Sequence, residues 1–453
     1  MRLPKDLEEK CLFAKTTECN TFDSMVKYLR AAISLFPDKR TGKNTTYCIE
    51  DIALGAFSIF FTQSPSFLAF QIAMQKNKGL NNANSLFGIQ TIPSDNHIRN
   101  VTDVIPPSHV FPVFIRIIED LKNLGYLDTL RSYNRNLLCA LDGTQYFSSK
   151  KIHCENCNTK EHKNGKVTYS QSAITPVFVA PGIDKVISLP PEFITPQDGN
   201  SKQDCENAAA KRWLNQYAQL LKELRVTIIG DDLYCKQPIV SLIMKHGLDF
   251  ILTCKPDSHK TLYKWVEEMQ ELGAVETVTE KRWTGKTYLI DTYRFVNQVP
   301  IRDGQDAQNV NWCELITTLP DDTIVYRNSF VTNFIISKST VKQIVADGRA
   351  RWKVENENNN VLKNNGYNLE HNFGHGKKYL SQFMLTLNLL AFLFHTVLEV
   401  ADKKYILIRN SLPARKTFFD DIRALTRYIY FESWNAMLLF MIRGLKLNVL
   451  DTS

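Results

Sequence analysis

Three carboxylates stand at positions where side chains can do joint chemistry. Asp142 closes the short apolar run Asn136-Leu-Leu-Cys-Ala-Leu141. Asp231 follows Val226-Thr-Ile-Ile-Gly230. Glu355 lies in the helical stretch Arg349-Ala-Arg-Trp-Lys-Val-Glu355-Asn-Glu357. Carboxylate oxygens suit hard divalent cations such as Mg²⁺ or Mn²⁺. Two such ions activate water and stabilise a leaving oxygen in phosphoryl transfer. A lone Asp after a strand is usually a turn or cap residue, so the weight rests on the three acids taken in order. Asp232 and Glu357 are the neighbouring alternates. Residues two apart on a helix do not share a face, so only one of Glu355 and Glu357 is expected to line a site. Arg351 and Glu355, four apart, do share one.

A second group has metal-ligand chemistry. Lys151-Ile-His153-Cys154-Glu-Asn-Cys157-Asn-Thr-Lys-Glu-His162 places two thiols at the spacing used for tetrahedral zinc. Cys154, Cys157 and His162 are its candidate ligands for a structural Zn²⁺, and Cys205 can approach only through the fold. His371 and His375 are four apart, but Gly374 and Gly376 argue against a regular metal-binding helix there. The chain has no His-Glu-x-x-His pattern, no phosphate-cradling Walker loop and no motif for a Ser or Cys nucleophile.

The elements that must position these groups follow from hydrophobic periodicity. Residues 1 to about 130 read as mostly helical, with Pro65, Pro93, Pro106, Pro107 and Pro112 as punctuation. Arg30, Lys39, Arg40, Lys43, Lys76, Lys78 and Arg99 are scattered through this part, as in a DNA-binding or assembly domain or a plain helical scaffold. From Asn136 the pattern predicts strand, strand, strand, helix, strand, helix, strand, helix, which is a mixed sheet flanked by helices. Residues 273–337 turn β-rich and read as an all-β insertion. Helical spacing returns over 338–400 and continues through a C-terminal region, 401–453. The first part of the sheet-bearing core is 131–272. The fold class is therefore α/β with an N-terminal helical domain.

The 453 residues carry 55 Lys+Arg against 47 Asp+Glu, a formal net charge of +8, which suits a polyanionic partner. Ten cysteines are too few for a disulfide scaffold and read as reduced, intracellular usage. The first ten residues mix both charges and do not read as a signal peptide. The apolar stretch from Tyr379 to Val400 is broken by Ser381, Gln382, Asn388, His395 and Glu399, each costly in hydrocarbon. It reads as a buried core helix, with no membrane span expected. Trp352 is expected in the core, and the basic residues near it (Arg349, Lys353, Lys363, Lys377, Lys378) on a solvated face.

The chain resembles the DDE transposases of bacterial insertion sequences, the cut-and-paste group with a ribonuclease-H-like core and a β insertion before the last catalytic helix. The residues that carry the likeness are Leu141-Asp-Gly-Thr144, Ile228-Ile-Gly-Asp231-Asp-Leu-Tyr234 and Arg351-Trp-Lys-Val-Glu355 with Leu362-Lys363. The segment Asn364-Asn-Gly-Tyr-Asn-Leu-Glu-His371-Asn-Phe-Gly-His375-Gly376 is also similar. The resemblance covers roughly residues 130–400. It implies that Asp142, Asp231 and Glu355 bind two Mg²⁺ or Mn²⁺ ions, with Arg351 positioning the phosphate or the Glu. Tyr234 three places after Asp231, and Arg351 four before Glu355, select these acids over Asp232 and Glu357. Gly348 stands where the related signature has Tyr, and Lys363 follows Glu355 one residue late. The function implied is metal-dependent cleavage of double-stranded DNA and 3′-hydroxyl strand transfer between element ends and target. A homodimer in the synaptic complex and a cytoplasmic, nucleoid-associated place in a bacterium follow from the same likeness. The rival expectations are a nuclease of this fold without strand transfer, and a catalytically inactive DNA-binding descendant.

Overall fold

The computed structural model describes residues 21–448 except 39, 42–44, 46, 65–68, 70–80, 197–204 and 372. Met1–Lys10, Pro65, Lys39, Lys43, Lys76 and Lys78 thus lie outside the described residues.

Two apolar runs make the centre of the molecule. β1 (Leu137–Ala140) and β8 (Val226–Gly230) are buried along their whole length, as expected of strands covered on both faces. They pair in parallel, with Leu137 opposite Val226 and Ala140 opposite Ile229. β9 (Asp249–Thr253) adds in parallel to β8. β5 (Val177–Ala180) and β6 (Ile183–Ser188) add antiparallel on the other side of β1. The order β9-β8-β1-β5-β6 is the mixed sheet of a ribonuclease-H-like core.

The β-rich stretch does not form a sheet of its own. β10 (Glu276–Trp283), β11 (Tyr288–Pro300), β12 (Asn309–Thr318) and β13 (Ile324–Thr332) are successive antiparallel strands. β13 then pairs with β9, giving one nine-stranded sheet. A smaller antiparallel sheet holds β2 (Gly143–Ser149), β3 (Asn158–Glu161), β4 (Val167–Ile174) and β7 (Glu192–Ile194). Thr175-Pro176 separates β4 from β5, because proline cannot donate to a ladder; one predicted strand is thus two, in different sheets.

The helix Val341–Arg349 packs across β8, β9 and β11 to β13. Gly348 makes that approach possible. A Cβ there would lie 2.6 Å from the Phe330 ring and 3.0 Å from Ile251. The tyrosine of the related signature has no room.

The apolar segment that could be taken for a membrane span is the helix Leu380–Ala401, buried on nearly every face. It packs against Ile49–Phe61 and Thr21–Ile33 from the N-terminal part, β6 from the sheet, and Lys403–Ser411 beyond it. His395 shows why its polar residues are tolerated. Its Nε2 reaches the Phe61 carbonyl at 2.8 Å and its Nδ1 the Tyr405 hydroxyl at 2.9 Å. Three of the scattered basic residues named for the N-terminal part have partners within the chain. Arg30 pairs with Glu50, Arg40 with Asp38, and Arg99 holds the Phe373 carbonyl.

Candidate active site

The register of β1 and β8 brings the first two acids together. Leu137 faces Val226, and the same offset carried past the strand ends sets 142 beside 231. Neighbouring strands run about 4.8 Å apart, so the two acids leave the sheet side by side. Leu141 N–H still donates to the Ile229 carbonyl at 2.9 Å, which holds the register up to the turn. Asp231 Oδ1 accepts from Leu233 N–H at 2.9 Å, a turn closed by its own side chain.

Asp232 points elsewhere. Its Oδ1 accepts from Lys255 N–H at 2.7 Å and lies 3.4 Å from His259 Nε2. His259 in turn lies with Cys235 and Cys254 in a fully buried trio. Asp231 is therefore the acid that turns toward Asp142.

Glu355 arrives on a π-helical turn, Val354–Asn359. Such wide turns often mark functional positions within helices. Arg351 Nη1 holds Glu355 Oε1 at 2.6 Å. From the same turn Asn359 Nδ2 donates to Asp142 Oδ2 at 3.1 Å, and its Oδ1 accepts from Thr175 Oγ1 at 2.9 Å. Glu357 is half-buried, and it is Glu355 whose charge reaches Asp142. Trp352, expected in the core, is exposed: Lys353 and Val354 take the inward positions, and the Lys353 ammonium lies 5.0 Å from the indole ring centre. Lys363 is paired with Glu370 at 2.9 Å.

A fourth carboxylate, Glu206, was not anticipated. It opens the helix Glu206–Leu224, where an acid ordinarily answers only the helix dipole. Here it accepts from the Tyr234 hydroxyl at 2.5 Å and from Gly143 N–H. A Cβ on Gly143 would collide with it, so glycine after Asp142 is what lets Glu206 in. Tyr234 itself is fully buried.

The cluster's electrostatics follow from this crowding. Burial, then the charges of Glu355 and Glu206, push the Asp142 carboxyl up to about 7; Arg351 opposes them and Asp231 adds to them. Burial likewise raises Glu206, against the hydrogen bond from Tyr234. One arginine against four acids leaves an excess of negative charge that favours protons or metal cations. The donors are oxygens alone, which fits Mg²⁺ or Mn²⁺ and not a thiophilic metal.

The thiol pair is placed as its spacing suggests, but its imidazole is another one. Cys154 and Cys157 Sγ lie 3.9 Å apart, and His375 Nε2 lies 3.5 Å from Cys157 Sγ. His162, on the exposed end of β3, meets Thr168 Oγ1 at 2.9 Å instead. The backbone there is closed into a turn, His162 N–H donating to the Lys166 carbonyl at 2.9 Å, and it is His375 that groups with the two thiols.

A family description, the transposase DDE domain, matches residues 199–393. That stretch contains Asp231 and Glu355, while Asp142 precedes it. No curated protein matches the chain.

Proposed function

We propose, because residues 199–393 match the transposase DDE domain, that the protein cuts and joins DNA with Asp142, Asp231 and Glu355 as the acting acids. The observation that supports this reading is geometric: the parallel register of β1 and β8 sets Asp142 beside Asp231, and Asn359, on the same π-helical turn as Glu355, bonds to Asp142 at 3.1 Å. These three acids would hold the divalent ions, Mg²⁺ or Mn²⁺. When bound, such ions neutralise phosphate charge and lower the pKa of an attacking water.

The chain's own residues do the positioning. Arg351 fixes the Glu355 carboxylate through the ion pair between them. Asn359 orients Asp142. Glu206 and Tyr234, bonded to each other, set the wall behind the two strand-end acids. Arg351 also keeps the acid cluster from full mutual repulsion, and its guanidinium is the kind of group that receives a phosphate.

The substrates on this reading are the double-stranded ends of an insertion sequence and a target duplex, handled by a homodimer in the bacterial cytoplasm. Binding to DNA is expected to weaken steeply with salt, because phosphate contacts release counterions. The test is cleavage of a duplex carrying the ends of the flanking element, with and without Mg²⁺, and with Asp142, Asp231 and Glu355 each replaced by Ala. Loss of cutting in all three variants supports the reading, and full activity in Asp142→Ala overturns it. Pre-cleaved ends separate the alternatives: joining marks a transposase, and cutting without joining marks a nuclease. Salt-dependent binding with neither activity marks an inactive descendant.

A further inference from the structure

The hydrogen bonds at the acid cluster do not involve Cys154, Cys157 or His375, yet these three gather from distant parts of the chain. Cys154 and Cys157 form a tight turn, Cys157 N–H donating to the Cys154 carbonyl at 3.1 Å. His375 comes from 218 residues further on. One ligand atom from each lies within 4.8 Å of the others.

The separations can be compared with a tetrahedral ion. Zn–S bonds of about 2.3 Å and Zn–N bonds of about 2.0–2.1 Å put two sulfurs roughly 3.8 Å apart and a sulfur and nitrogen roughly 3.6 Å apart. The observed 3.9 Å and 3.5 Å agree with both. A disulfide would need about 2.05 Å.

The surroundings suit thiolates. The Gln171 amide donates to both sulfurs, at 3.3 Å and 3.6 Å. Its Oε1 is anchored by the Tyr146 hydroxyl at 3.0 Å, so the amide is held with its donors toward sulfur. Cys157 and His375 are buried, while Cys154 is half-exposed, so the group meets solvent on the Cys154 side.

We propose that Cys154, Cys157 and His375 form a zinc site that clamps the turn between β2 and β3 to the segment entering the helix Leu380–Ala401. Neighbouring contacts follow the same seam: Asn156 Nδ2 donates to the Lys378 carbonyl at 2.5 Å, and the Phe147 ring lies 4.3 Å from the His375 ring. The sulfurs enter as thiolates, each giving any remaining proton to solvent. The imidazole enters neutral, and nothing is oxidised or reduced. β2 starts one residue after Asp142, so the clamp braces the strand that leaves the acid cluster.

The experiment is the zinc content of the full chain after growth with zinc and dialysis, measured without DNA, so that its failure is distinct from failure of the transposase reading. Wild type is expected to hold about one equivalent more than Cys157→Ser or His375→Ala. His375→Cys, which keeps a soft donor, is expected to retain it. Cobalt exchange gives a second readout: less bound cobalt and a weaker thiolate-to-cobalt charge-transfer band in His375→Ala than in wild type, which serves if Cys157→Ser does not fold. The buried trio Cys235, Cys254 and His259 is untouched by these changes, so the difference isolates one site. Equal zinc in wild type and both loss variants overturns the proposal.

Discussion

Asn359 is clamped at both ends, donating to Asp142 Oδ2 at 3.1 Å while its own Oδ1 accepts from Thr175 Oγ1 at 2.9 Å. The Asp142 carbonyl accepts from Thr175 N–H at 3.0 Å, which closes the loop. The π-helical turn bearing Glu355 is thereby tied to the end of β1. Groups that orient metal-binding carboxylates are worth about 10–100-fold in affinity or activity. Asn359→Ala is expected to lose that much Mg²⁺-dependent cleavage and to need more Mg²⁺ for half-maximal rate. A residue with a merely structural role would leave the Mg²⁺ requirement where it was.

Asp142 gives a stability prediction with a definite sign. Burial, Glu355 and Glu206 raise its folded pKa from 3.8 to about 7. The folded state therefore holds the proton more tightly than the unfolded chain. That stabilisation is complete below 3.8 and is lost as pH rises through 7. At roughly 1.4 kcal/mol per unit, the loss is on the order of a few kcal/mol. In metal-free buffer Asp142→Asn should melt higher than wild type at pH 8 and alike at pH 4. Added Mg²⁺ should raise the wild-type Tm at pH 8 and not the variant's. A variant no more stable at pH 8 would mean that the carboxyl is not held in a charge-averse pocket.

How much of this was legible in the chain depended on locality. Leu137–Leu141 and Val226–Gly230 announce themselves as buried strands because both faces are apolar, and the acids at their ends are then easy to find. β2 was missed because polar residues interrupt it, as in Gly143-Thr-Gln-Tyr-Phe-Ser-Ser149. Glu206 looked like an ordinary helix-opening acid, and only the space over Gly143 makes it more. Asn359 was hidden by the π-turn, which breaks the 3.6-residue period used to assign helix faces. His375 could not be preferred over His162, since nothing local ties it to a turn 218 residues away. The strands of the β-rich stretch are legible from its β-branched and aromatic residues. Its continuity with the main sheet rests on β13 pairing with β9, a long-range register that no local pattern encodes.

Gly348 should resist any enlargement. Its helix rests on β13 and β9 so closely that an added methyl meets the buried Phe330 ring at 2.6 Å. Overpacking of this kind costs about 1–3 kcal/mol. The better helix propensity of alanine returns at most about 1 kcal/mol. Gly348→Ala should therefore lower the Tm, with Gly348→Tyr worse or insoluble. Denaturant melts would check this, and unchanged stability in Gly348→Ala would show that helix and sheet can part without cost.

Glu399 sets the last prediction, because it is a buried acid surrounded by cations from three elements. Lys185 of β6 reaches it at 2.7 Å, Arg415 at 3.1 Å and Arg409 at 3.4 Å. Burial alone would raise its pKa, but Arg415, Lys185 and Arg409 hold it down to about 2. Its contribution is present above the ordinary value of 4.5 and is lost as pH falls through 2. Removing the shared partner strands cations that are themselves buried or half-buried, for which breaking a buried pair costs about 3–5 kcal/mol. Glu399→Gln should thus melt well below wild type at pH 7, and the gap should close toward pH 2, where the native carboxyl is as neutral as the amide. A constant gap across that range would assign the effect to shape rather than charge, and no gap at pH 7 would mean that the cations are held by something other than Glu399.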